Sequence, residues 1–286
     1  MKFRPSTRIK LFLNRLLSVL QQFGFNPLIC VQSIFGLPRY INNIREFKSH
    51  AKAVQSPLEE ITFNHESSWR FGMIYPILDE FKSTAGSDFG HYYHQDLYIA
   101  KQVYCAKPDL HLDVGSRIDG FIAHLLAFGQ PTILGDVRPI YGRDENLSSV
   151  YFNLGDDLPV GNFEKYNSIS SLHVIEHVGL GRYGDNIDPY GHIKAIRNLA
   201  ARLMTHGVLY LSFPISKKSR IEFNAHRVIS IPESLDIFAQ LGLEVLNFAY
   251  VDDSGCLQQP SNLAEIDITN TYNLNYGCGI WTLTIK

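Results

Sequence analysis

The stretch His111-Leu112-Asp113-Val114-Gly115-Ser116-Arg117-Ile118-Asp119-Gly120 decides the fold, read together with Gly135-Asp136 further along. An apolar strand ends in an acid and a glycine. A turn and a helix follow, and a second strand ends in another acid. The interval from Gly115 to Asp136 is the roughly 20 residues that set a nucleotide-like cofactor at the carboxyl edge of a parallel sheet.

Outward from that stretch, strand and helix patterns alternate. Leu110–Val114 reads as a buried strand, and Gly120–Phe128 as a helix stopped by Gly129 and Pro131. Thr132–Val137, Ser149–Leu154 and Asn167–Val174 read as strands two to four. Ile193, Ile196, Leu199, Ala200 and Leu203 mark one face of a helix ending near Gly207. Val208–Phe213 is a fifth strand, Pro232 opens a helix reaching Leu241, and Glu244–Val251 and Gly279–Ile285 close the chain. Such alternation predicts an α/β fold: a seven-stranded, mostly parallel, doubly wound sheet with helices on both faces.

At 286 residues the chain can bury a full core. Its content, 45% hydrophobic and 19% charged, excludes fibrous and disordered classes. Charge is unevenly spread. Residues 1–50 hold eight basic side chains against the single acid Glu46, a net of +7, whereas the remainder carries 18 basic and 27 acidic, a net of −9. The main body is therefore a poor nucleic-acid partner. Cys30, Cys105, Cys256 and Cys278 are scattered and lack metal-ligand spacing, which reads as a reduced, intracellular chain. The early apolar run is interrupted by Asn14 and Arg15, unlike a signal peptide. Phe23–Leu37, broken by Asn26, Pro27 and Gln32, is too short for a membrane span. A cytoplasmic protein is expected.

Ile9, Leu13, Leu16, Leu17 and Leu20 recur at helical spacing, with Lys10, Asn14, Ser18 and Gln21 opposite. This amphipathic basic helix either packs on the main domain or makes a peripheral contact with an anionic membrane. Residues 38–70 read as irregular to helical, with Pro38 and Pro57 as breaks. Two regions are expected, a helical basic extension over 1–84 and the α/β domain over 85–286.

The order of elements, with two strands together at the end, resembles the class I S-adenosylmethionine-dependent methyltransferase fold over residues 85–286. Leu112-Asp113-Val114-Gly115 looks like its first cofactor motif, and Asp136 like its strand-two acid. Gly155-Asp156-Asp157-Leu158-Pro159 looks like its strand-three motif. Ser171-Leu172-His173-Val174-Ile175-Glu176-His177-Val178 looks like its strand-four motif, and Arg202–Leu211 like its turn into strand five. More narrowly, the segments 90–96, 179–185 and 223–227 resemble an uncharacterised domain family associated with surface-polysaccharide biosynthesis. The resemblance implies S-adenosylmethionine as cofactor, with Asp113, Gly115, Arg117, Asp136, Asp156 and His173 around it.

The chemistry suits that reading. A carboxylate at Asp136 can accept both ribose hydroxyls in charge-assisted bonds. Gly115 lets backbone approach the ligand, and Asp113 fixes the turn or contacts the methionine amine through water. Arg117 and Asp119 stand where these enzymes usually have glycines. Arg117 there either crowds the methionine tail or binds its carboxylate, and Asp119 can cap the next helix. His177, with Glu176 beside it, can take a hydroxyl proton during methyl transfer. His91, His94, Asp96, His226 and Arg227, with Arg182 and Tyr183 of a glycine-rich loop, suit the hydroxyls and phosphates of a sugar substrate. Their spacing matches no zinc pattern, so no metal is expected. The leading expectation is methyl transfer to a hydroxyl of a glycan or nucleotide sugar. The alternatives are a non-catalytic binding or scaffold protein on the same fold, and a glycan-processing enzyme of another class using His94, Asp96 and His226.

Overall fold

The computed structural model describes residues 17, 19–53, 76–84, 86–158, 163–260, 266–267, 269 and 271–285. It divides into two compact units, residues 1–87 and 88–286. In the first unit, helix α1 (Pro27–Ala53) begins with Pro27 at its first position, where a missing N–H costs nothing. Asn26 caps it, its Oδ1 accepting from the amides of Leu28 at 3.1 Å and Ile29 at 3.3 Å. The expected break at Pro38 is corrected, because α1 runs through it. A proline removes one amide donor, and a long helix with good turns on either side can absorb that loss. Most of the basic helix expected from Ile9, and the Pro57 break, lie outside the described residues. No helix among the described residues is long and apolar enough to cross a membrane.

The second unit holds the sheet. Its strands are β1 (His111–Val114), β2 (Thr132–Asp136), β3 (Leu147–Tyr151), β4 (Tyr166–Leu172), β5 (Leu203–Ile215), β8 (Leu243–Val251), β9 (Leu257–Gln258) and β10 (Gly277–Ile285), and β6 (Arg220–Glu222) and β7 (His226–Val228) form a separate hairpin. The order is β3-β2-β1-β4-β5-β10-β8-β9. The first five run parallel, and β10 pairs antiparallel with both β5 and β8. This is the doubly wound order that the resemblance implies, with one difference. Among the described residues the sheet has eight strands rather than seven, since the two-residue β9 adds to its edge.

Helices cover both faces. On one, α4 (Gly191–Ala201) and α5 (Ile231–Gln240) bury Ile196, Leu199 and Phe238 against Leu112, Val114, Phe213 and Trp281. On the other, α2 (His91–Ala106) and α3 (Ala123–Ala127) bury Ile99, Val103 and Leu125 against Leu134, Leu172 and Cys278. β5 starts at Leu203, earlier than expected, because Leu203 pairs with Tyr166 before a register shift. The strand order reverses direction between β1 and β4, so their carboxyl ends open the crevice where ligands of such sheets bind.

Candidate functional site

The turn after β1 is built by Asp113. It is fully buried, and its Oδ1 accepts the Ser116 amide at 3.0 Å. Its Oδ2 accepts the hydroxyls of Ser116 at 2.9 Å and Ser170 at 2.5 Å. Burial pushes the carboxyl up to about 7, against the pull of those bonds. Asp113 is thus committed to the turn, and of its two expected roles the structure shows this one. Gly115 follows with φ +91°, and a Cβ there would meet the Val174 methyls at 2.7 Å. Only glycine permits this approach of β1 to β4.

Beyond Gly115 lies a cavity of about 560 Å³, counting the part open to solvent. Asp136 at the end of β2, Asn153 and Leu154 after β3, and Val174, His177, Tyr183 and Asp185 after β4 line it with Gly115. Asp136 is buried and held by its neighbour Arg138. Its Oδ1 accepts from the Arg138 amide at 2.8 Å and Nε at 2.9 Å, and its Oδ2 from Nη2 at 2.6 Å. The loop after β4 is tied down. Asp185 accepts the amides of Gly179 at 2.6 Å, Gly181 at 3.3 Å and Tyr183 at 3.2 Å.

A second cavity, of about 580 Å³ on the same measure, is lined by His91, Tyr92, His173, Glu176, His177, Arg182, Pro214, His226 and Tyr276. His177 therefore lines both cavities. Its Nδ1 lies 2.6 Å from the Ala225 carbonyl oxygen, too close without a proton between them, so Nδ1 donates and Nε2 carries the lone pair. Burial lowers its pKa, only partly offset by Glu176. Glu176 is buried, accepts His173 Nδ1 on Oε1 at 2.6 Å and lies 3.8 Å from His177 Nε2.

Several expected roles are corrected. Arg117 is 74% exposed and paired with Asp119 at 2.6 Å, so it neither crowds the first cavity nor reaches into it. Asp156 is exposed, accepts from Asn153 at 2.8 Å and does not line the cavity. His173 lies one residue past β4 at φ +55°, and it lines the second cavity rather than the first. Arg227 is buried and donates to the carbonyls of Val178 at 2.6 Å, Asp188 at 2.9 Å and Pro189 at 3.3 Å, so it clamps the loop rather than a substrate. His94 packs edge-on against Tyr93, and Asp96 sits beside Gln95 and Gly120. Neither lines the cavity of His226, which breaks the proposed set His94, Asp96 and His226. Tyr276 and Cys278 are additions from the last strand region. They enter because β10 runs alongside β5 in the centre of the sheet, and no local motif marks them.

A family model described as "Caenorhabditis protein of unknown function, DUF268" matches residues 157–254. The search of curated proteins finds no match. Among solved structures, the chain is similar to a putative sarcosine dimethylglycine methyltransferase from Galdieria sulphuraria, with 14% identity and TM-score 0.47 over 67% of this chain and 85% of that one. An S-adenosylmethionine-dependent methyltransferase from Clostridium acetobutylicum gives 10%, 0.43, 68% and 92% on the same measures. An O-methyltransferase of a Brevibacillus brevis multienzyme, solved with S-adenosyl-L-homocysteine, gives 11%, 0.45, 68% and 72%. Likeness at this level concerns the path of the chain and not its chemistry.

Proposed function

We propose that the chain is an S-adenosylmethionine-dependent methyltransferase acting on a hydroxyl of a glycan or nucleotide sugar. The observation that carries this reading is His177, set between two cavities with its Nε2 lone pair free. The first cavity suits the cofactor. Gly115 lines it with backbone alone, and Asp136 offers a carboxylate to the ribose. When bound there, the cofactor supplies an electrophilic methyl group. The second cavity suits a hydroxylated acceptor, with Arg182, His226 and Tyr276 as hydrogen-bonding groups. His177 Nε2 would accept the proton of the acceptor's hydroxyl, making its oxygen the nucleophile that such a methyl group requires, with S-adenosylhomocysteine as the leaving group.

Arg138 sets a condition on this reading. It fills three of the roughly four acceptor sites of Asp136, so a ribose diol must displace it. Its side chain is 47% exposed and can swing into solvent, but Asp136 is buried, so the diol must replace the hydrogen bonds that the guanidinium gives up. The same observation supports the alternative of a binding protein whose cofactor site has closed. Titration calorimetry with S-adenosylmethionine and S-adenosylhomocysteine separates the two. Under the proposal both bind, Arg138→Ala binds at least as tightly, and Asp136→Ala loses about tenfold or more, the worth of charged hydrogen bonds. No binding by wild type or by Arg138→Ala would favour the alternative. Unchanged affinity in folded Asp136→Ala would overturn the ribose assignment.

A further inference from the structure

Behind the second cavity, three donor groups from distant parts of the sequence converge. His91 comes from the first turn of α2, His173 from the turn after β4 and Cys278 from β10. One donor atom of each lies within 4.8 Å of the others. The two imidazole rings are parallel, their centroids 5.3 Å apart. Cys278 is fully buried and in no disulfide.

Each histidine is already oriented through one nitrogen. His173 Nδ1 donates to Glu176 at 2.6 Å, and His91 hydrogen-bonds to the backbone of Tyr276. A carboxylate or carbonyl behind a histidine is the usual support of a metal-ligating imidazole, because it fixes the ring and makes the other nitrogen a better donor to the ion. That other nitrogen of His173, Nε2, belongs to a side chain 5% exposed and has no oxygen or nitrogen partner, with the Cys278 sulfur as its nearest polar neighbour. A buried polar atom without a partner is costly, and a cation that displaces its proton would satisfy it.

We propose that His91, His173 and Cys278 bind a zinc ion whose fourth position opens into the second cavity. Two imidazoles and a thiolate are borderline-to-soft donors suited to zinc, and the three donors provide none of the oxygen cage that calcium or magnesium needs. Three protein ligands and one open position is the pattern of a reactive zinc site, as opposed to the four-ligand structural kind. Zinc bonds of about 2.0–2.3 Å at tetrahedral angles place donors roughly 3.3–3.7 Å apart, so the site must close by about 1 Å. His91 is half-buried at the start of its helix, and its rotation supplies that movement. The ligands come from α2, the turn after β4 and β10, which explains why no spacing motif announces them. If the acceptor is a hydroxyl, the ion would also acidify it, a consequence that rests on the function proposed above. Metal binding itself does not rest on that reading.

The test uses the full chain stripped with a chelator, then titrated with Zn²⁺ and, as a spectroscopic probe, with Co²⁺. One ion per chain is expected, and the cobalt form should show a tetrahedral spectrum with a thiolate charge-transfer band. Cys278→Ser should lose that band. His91→Asn, at a half-buried position where folding is least at risk, should weaken binding at least tenfold, and Glu176→Gln by about 10–100-fold. His94→Asn, three residues along and away from the cluster, should bind as wild type does. No stoichiometric binding by the wild type, an octahedral cobalt spectrum, or a charge-transfer band that survives Cys278→Ser would overturn the proposal. Calorimetry with S-adenosylhomocysteine on the metal-free chain tells failure of this site apart from failure of the cofactor site.

Discussion

Replacing Gly115 by alanine tests whether the β1–β4 junction is built as described. Gly115 has φ +91°, and an added Cβ would lie 2.7 Å from both Val174 methyls. Two costs follow. Holding an L-residue in that backbone region costs about 1–3 kcal/mol. Forcing a methyl into occupied space costs about 1–3 kcal/mol more. Together they reach about 2–6 kcal/mol, and for a unit of this size each kcal/mol lowers Tm by about 2–4 °C. The two costs can be separated with Val174→Ala. That change removes both clashing methyls and leaves only the Val174 Cβ, 3.3 Å away. Thermal unfolding of wild type, both single variants and the double variant forms a complete cycle. The double variant should be more stable than additivity predicts by about 1–3 kcal/mol, the part due to the clash, while the backbone part persists. Strictly additive losses would refute the close packing of Gly115 on Val174. A Gly115→Ala protein as stable as wild type would refute the backbone argument as well.

Three further outcomes follow from the same geometry. The native pKa of Asp113, raised to about 7 by burial, exceeds its unfolded value, so its favourable contribution is full below about pH 4 and lost as pH rises to 7. Asp113→Asn should therefore gain stability relative to wild type between pH 4 and 7 in denaturant titrations, and a pH-independent difference would count against the assignment. His177 is held below its ordinary 6.5 by burial, so kcat/KM for methyl transfer should have an acid limb with its midpoint under 6.5. That limb should vanish in His177→Ala along with about 10²–10⁴ of the rate, and a midpoint above 6.5 would exclude His177 as the base. Arg227→Ala removes the guanidinium from the Val178, Asp188 and Pro189 carbonyls, Asp188 keeping the Gly191 amide, and should cost about 2 kcal/mol or more. Amide exchange should quicken across residues 179–190, and unchanged protection there would show that Asp185 alone holds the loop.

The parts of this molecule legible in its sequence are those written locally. β1 and β2 announce themselves because each apolar run ends beside a glycine and an acid within a few residues. Asp136 and His177 could be placed at the crevice because strand ends place them there, whatever the side chains do. Helix α2 is not legible in this way because its inward face carries Gln95, whose Oε1 accepts from Ser212 at 2.6 Å, and its first turn reads as a cluster of ligands rather than as a helix. The Arg117–Asp119 pair was equally hidden. Whether an arginine enters a pocket or folds back on an acid two residues away is decided by rotamers, to which sequence spacing is blind. The Cys278 cluster is the extreme case, since its three members meet only once β10 has been inserted beside β5.

The environments of two neighbouring histidines divide the work at the crevice. His173 and His177 share one buried carboxylate, Glu176, but on unequal terms. His173 donates to it directly at 2.6 Å, whereas His177 Nε2 stays 3.8 Å away. Burial disfavours a charged imidazole at both positions. At His173 this is outweighed by Cys278 and Glu176, and its pKa lies well above the ordinary value. His177 instead gives its Nδ1 proton to the neutral carbonyl of Ala225 and lies beside the Arg182 guanidinium, so its pKa falls. Titratable neighbours driven apart in this way mark out their roles. His173 is fixed by its carboxylate and offers no lone pair to an acceptor: without an ion its Nε2 carries a proton, which zinc binding must release, and with the ion bound that lone pair is a ligand. His177 is neutral at neutral pH, keeps its Nε2 lone pair and lines both cavities. Of the two, only His177 can act as the base.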